Sequence, residues 1–145
     1  PKRHNNPYKQ WGFDPDLIEW IVQHQEIKHA IISNYTQDIV NSLIYGAKIE
    51  QYFAYISGIT KHKSRKPDII QYEMMSKDLK SITKNKQLMV GDLPTDMEFA
   101  DRLGIHGIIV HTDLPPTHHS TQASFKDTKD IISWLNNHII HKTGS

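Results

Sequence analysis

Apolar residues recur along the chain in two rhythms, one at helical spacing and one in short unbroken runs, and their alternation predicts an α/β fold. Leu17, Ile18, Ile21 and Val22 share one face of a helix that Asp14-Pro15-Asp16 opens, with Asp14 as N-cap and Pro15 at the first helical position. Ala30-Ile31-Ile32-Ser33 reads as a buried strand. Residues 36 to 45 are predicted helical on Ile39, Val40, Leu43 and Ile44, with Gly46 placed to cap the C-terminus. A strand over Tyr52 to Ile56, a helix over Asp68 to Leu79 and a strand over Gln87 to Val90 follow. The spacing then predicts a helix from Thr95 to Leu103 stopped at Gly104, and a strand over Gly107 to Val110. Thr112 to Ser124 is rich in Pro, His, Ser and Thr and reads as a loop, and Ile131, Ile132, Leu135 and Ile139 define a last amphipathic helix. Trp11, Trp20 and Trp134 read as packing anchors, and Met74-Met75 as core filler. Strands joined by helices run parallel with right-handed crossovers, so ligands are expected at the carboxyl ends of the strands.

Length and composition narrow the reading. With 145 residues, 37% of them apolar and 23% charged, the chain fits an N-terminal arm over residues 1–13 and one α/β domain over residues 14–145. A formal net charge of +1 argues against the broad basic field used for nucleic acid, although Lys61, Lys63, Arg65 and Lys66 make one local positive cluster. The absence of cysteine excludes a disulfide framework and thiolate-bound zinc, and suits a reducing compartment, so a cytoplasmic location is the expectation. No uncharged apolar stretch approaches the roughly 20 residues a membrane helix requires, so no membrane partner is expected.

Three short groups carry candidate chemistry. Ser33-Asn34 ends an apolar run, where the Ser hydroxyl and the Asn backbone amide suit a phosphate oxygen at the start of the following helix. A plain capping turn is the alternative for the same residues. Lys66-Pro67 places an ammonium where charge on phosphoryl oxygens is offset, or else belongs to a solvated basic loop. Asp92 and Asp96 flank a strand-to-helix turn, and hard carboxylate oxygens in that arrangement suit Mg²⁺, although acids also favour helix N-termini on their own account.

In order and spacing these groups resemble the haloacid dehalogenase-like (HAD) superfamily, its cap-bearing phosphatase subgroup in particular. The resemblance spans residues 16 to 140, through Ser33-Asn34, Gly46, Lys66-Pro67-Asp68, Gly91-Asp92 with Asp96, and Leu103-Gly104. It implies a Rossmann-like parallel sheet flanked by helices. It also implies an Mg²⁺-dependent phosphohydrolase that acts on a small phosphomonoester through an aspartyl phosphate. Ser33 then matches the phosphate-binding residue, Lys66 the charge-neutralising lysine, and Asp92 with Asp96 the Mg²⁺-binding pair. Dehalogenase members work without Mg²⁺ and generally lack such a pair, so the resemblance favours phosphate chemistry.

One piece of the family pattern is absent. Asp14-Pro15-Asp16 has the Asp-x-Asp spacing of the family's nucleophile and general acid, but no apolar strand precedes it, so Asp14 is read as a helix cap. The first strand is expected from an upstream segment or a second chain. The alternative is a catalytically inactive HAD-like domain that serves in binding or scaffolding. A phosphoacceptor receiver domain also has parallel strands and a lysine, but it requires its acidic pocket early and its lysine late, and the order here is the reverse.

Overall fold

The computed structural model describes residues 14–80 and 83–140, which fall into two compact units, one running to Ile82 and the other starting at Thr83. The expected N-terminal arm, Trp11 included, lies outside the described residues.

The first unit runs α1 (Pro15–Gln23), β1 (Ala30–Thr36), α2 (Gln37–Gly46), β2 (Tyr55–Ile59) and α3 (Ile70–Leu79). Asp14 does cap α1, its Oδ1 accepting from the backbone N–H groups of Asp16 (2.9 Å) and Leu17 (3.2 Å). Thr36 does the same for α2 through the N–H of Ile39. Strands β1 and β2 pair in parallel. Their apolar residues Ile31 and Ile56 pack with α1 and α2 around Ile18, Val40, Ile44 and Ile49. The chain leaves α2 later than Gly46 predicts: Ala47 still bonds back to Leu43, and Lys48 takes the left-handed conformation at φ 59°. Hydrogen bonds from Tyr52 to Ile49 and from Phe53 to Glu50 close short turns there, so β2 begins at Tyr55 rather than Tyr52.

The second unit contains β3 (Leu88–Gly91), α4 (Pro94–Leu103), β4 (His106–Val110), β5 (Thr121–Phe125) and α5 (Thr128–Leu135), the last continuing as a wider turn through Asn136–Ile140. The sheet order is β3-β4-β5, all parallel. Gly104 ends α4 in the left-handed conformation, φ 70°, where the sequence puts the stop. Strand β5 corrects the loop reading of residues 112–124. Its Thr-Gln-Ala-Ser-Phe has no apolar run to announce it, and pairing of Ile108, Ile109 and Val110 with Ala123, Ser124 and Phe125 makes it a strand.

Parallel strands flanked by helices, as found in each unit, make this an α/β fold. The strands differ in cover. Gly107 to Val110 of β4, laddered on both edges, is buried, whereas β3 is half-buried along its whole length, and so is β1 from Ile31 to Asn34. Among the described residues β1 is laddered only to β2, and β3 only to β4, so each has one edge without a ladder. Each unit also holds an indole stacked on an imidazole at 4.4 Å, Trp20 on His24 and Trp134 on His138. In both, the imidazole Nδ1 donates to the carbonyl of that tryptophan, at 2.8 and 3.0 Å. No helix among the described residues is long and apolar enough to cross a membrane.

Candidate functional site

Ser33 and Asn34 lie where β1 leaves its ladder. Ile32 pairs with Ser57 and Thr36 with Ile59, so four steps along β1 face two along β2, and Ser33, Asn34 and Tyr35 have no register partner. Such a bulge re-aims the side chains it carries. The Ser33 hydroxyl accepts the Tyr35 N–H at 3.0 Å, which is the turn geometry of the plainer reading, and it keeps its own proton for a further acceptor. Gly58 permits the close approach of the β2 end: a Cβ there would lie 2.7 Å from the Tyr35 carbonyl oxygen and 2.8 Å from the Gln37 nitrogen.

Lys66 is brought to this bulge and is buried, as is Lys63, whereas Lys61, His62, Ser64 and Arg65 are exposed. The basic loop is therefore only partly a solvated one. The Asn34 side chain takes both backbone groups of Lys66, its Oδ1 accepting the N–H at 2.7 Å and its Nδ2 donating to the carbonyl at 3.4 Å. Behind them lies a polar network that the sequence did not announce. Gln71, fully buried, donates to the carbonyls of Ser33 (3.0 Å) and Ser64 (3.2 Å) and accepts the Ser57 hydroxyl at 2.6 Å. Lys63 Nζ donates to Gln37 Oε1 at 2.7 Å and to Ser57 Oγ at 3.2 Å, and burial among these neutral oxygens pulls its ammonium below the ordinary lysine pKa.

Asp92 and Asp96 lie together in the second unit. Asp96 is buried at the first turn of α4, and its Oδ2 accepts the backbone N–H groups of Asp92 and Leu93, each at 3.2 Å. Capping by Asp96 is thus real. Glycine at 91 is what lets this carboxylate fold back on the strand end, since a Cβ there would stand 2.3 Å from Asp96 Cβ. Asp92 is exposed, and its carboxylate makes no hydrogen bond or ion pair with any described residue. No group of three or more His, Asp or Glu side chains placed to hold an ion occurs among the described residues. An ion held here would take at most the Asp92 and Asp96 carboxylates from those residues, with water or substrate oxygens completing its shell. That donor set fits Mg²⁺, which keeps several waters and accepts one or two carboxylates.

Residues 13–110 match the sequence profile of the haloacid dehalogenase-like hydrolases. Solved structures resemble the chain at low identity. YfnB of Bacillus subtilis, assigned as a HAD hydrolase and bound to magnesium, is 15% identical at a TM-score of 0.69, over 81% of this chain and 54% of that one. A Thermotoga maritima protein assigned as a beta-phosphoglucomutase is 21% identical at 0.70, over 87% and 61%. A Clostridium difficile protein assigned as a phosphatase is 20% identical at 0.65, over 85% and 60%. At this identity the likeness is one of fold, and the chain spans only about half to three-fifths of the length of these structures. No curated protein sequence gives a significant match.

Proposed function

The chain belongs to the haloacid dehalogenase-like hydrolase family, and from that premise we propose that it is the major portion of an Mg²⁺-dependent phosphohydrolase acting on a small phosphomonoester. The observation that carries this reading is the β1 bulge, where a serine hydroxyl with a proton to give is tied through Asn34 to a buried lysine. In this reading the Ser33 hydroxyl and the Asn34 backbone amide hold a phosphate oxygen. The Lys66 ammonium offsets the charge that builds up as the ester bond breaks. Asp92 and Asp96 would hold Mg²⁺, which when bound supplies positive charge that polarises phosphoryl oxygens. The relatives assigned as a phosphatase and a phosphoglucomutase, and the magnesium-bound one, support phosphate chemistry and the metal.

The attacking carboxylate and the acid that protonates the leaving oxygen are, in this proposal, carried by a strand outside this chain. Asp14 is occupied with capping α1. Among the described residues β1 and β3 each keep one edge without a ladder, on strands only half-buried, and the free backbone groups of such an edge are a template on which a further strand can pair. A cytoplasmic location and one α/β domain over residues 14–145 go with this reading.

Two experiments test it. The chain alone is expected not to hydrolyse an aryl phosphate, and addition of a segment bearing Asp-x-Asp is expected to restore turnover. Turnover by the chain alone that disappears in Asp14→Asn would overturn the assignment of Asp14 as a cap only. Continued inactivity with the segment paired would favour the binding or scaffolding reading. In calorimetry, Asp92→Asn is expected to weaken Mg²⁺ binding, and equal affinity for parent and variant would remove the metal from the proposal.

A further inference from the structure

We propose that two primary amides, Asn34 and Gln71, are positioning residues that hold the Lys66 backbone against the tip of β1 and thereby set where its ammonium stands. The proposal rests on the reading of Lys66 as the charge-neutralising lysine. A side-chain amide has an acceptor and a donor side by side, as a peptide group does. Asn34 uses both on the N–H and carbonyl of one residue, Lys66. The bulge makes this reach available, since Asn34 has no register partner on β2. Gln71 then fixes the two segments that Asn34 joins. Its Nε2 protons go to the Ser33 carbonyl, one residue before Asn34, and to the Ser64 carbonyl, two before Lys66. Its Oε1 takes the Ser57 hydroxyl, which ties the pair to β2.

Gln71 and Ser57 have no exposed surface, so water does not readily replace the bond between them. Lys63 closes the network from behind, donating to Ser57 and to Gln37, whose Nε2 holds the Ile56 carbonyl of β2. The segment from Ser57 to Lys66 is therefore braced at its start, its middle and its end, and the two braces nearest Lys66 are amides.

A double-mutant cycle in the full-length protein, with an aryl phosphate as substrate, separates positioning from simple structural support. Asn34→Ala is expected to lower kcat by about tenfold or more with little change in KM, and to do almost nothing when Lys66 is already methionine, because residues that act as a unit are not additive. An equal fold-loss in both backgrounds would overturn the proposal. Gln71→Met, close in volume, is expected to follow the same pattern. Hydrogen exchange of the Lys66 amide gives a readout that needs no turnover. It is expected to be protected in the parent, to lose protection in Asn34→Ala, and to keep it in Asn34→Asp, which retains the acceptor. Protection unchanged in Asn34→Ala would overturn the brace itself. A parent without turnover would defeat the phosphohydrolase reading while the exchange result still decided the brace.

Discussion

Gly91→Ala offers the sharpest test of how the acidic pair is built. The added methyl would stand 2.3 Å from Asp96 Cβ, 2.5 Å from Cγ and 2.5 Å from Oδ2. Carbon atoms in contact rest about 3.5–4.0 Å apart, and no rotamer of Asp96 moves its own Cβ. The first turn of α4 therefore has to shift by more than an ångström. That shift breaks the bonds from the Asp92 and Leu93 N–H groups to Oδ2. Hydrogen bonds to a charged group contribute about 1.5–3 kcal/mol each, and overpacking costs about 1–3 kcal/mol. The expected loss of stability is at least about 4 kcal/mol in chemical denaturation. Gly46→Ala is the control, because nothing lies within 4 Å of a Cβ there and the backbone is helical. It is expected to stabilise by about 0.4–1 kcal/mol. A Gly91→Ala protein within about 0.5 kcal/mol of the parent, inside the ordinary range for surface changes, would refute the packing argument.

Two further predictions concern protons. Burial raises the Asp101 pKa, but hydrogen bonds from Ser120 and His119 and the nearby His118 outweigh it and hold the carboxyl below the ordinary value. A depressed acid contributes stability above its unfolded pKa, near 3.9, and loses it as pH falls through the lower folded value. The stability difference between the parent and Asp101→Asn should therefore shrink from pH 6 to pH 3, and a constant difference would refute it. Burial lowers the Lys63 pKa, so between the folded value and the ordinary 10.5 the unfolded chain binds the extra proton. Parent stability should rise with pH relative to Lys63→Met as pH climbs toward 10.5, and a flat difference would show that the ammonium is not desolvated.

The alternation of helices and parallel strands was legible because each helix buries one apolar stripe and each strand a short apolar run. Local chemistry was legible too: Asp14 caps its helix within three residues of itself, whereas Thr36, read as the first helical residue, is the cap of the next. Strand β5 was not, because its pairing with β4 substitutes for an apolar signal it lacks. Of the methionines read as core filler, Met74 is 37% exposed and Met75 is half-buried. Trp20 is buried as an anchor, while Trp134 is half-buried. At the candidate site, Ser33, Asn34 and Lys66 stood out as motif residues, but what the Asn34 side chain does did not, since its partner lies 32 positions away. Gln71 gave no signal at all. A glutamine beside the apolar Tyr72 reads as surface, and only the carbonyls and hydroxyl around it explain its burial.

The paired tryptophan and histidine stacks have a photophysical consequence. An imidazole stacked on an indole is part of the surroundings that set the indole's emission, and unfolding that parts the two rings changes that emission. Trp20 reports in this way on His24 and Trp134 on His138, and each indole belongs to a different unit. With Trp11 and one of these two replaced by phenylalanine, the remaining fluorescence follows a single unit. Melting of the two halves of the chain can then be recorded as separate optical traces from two label-free variants.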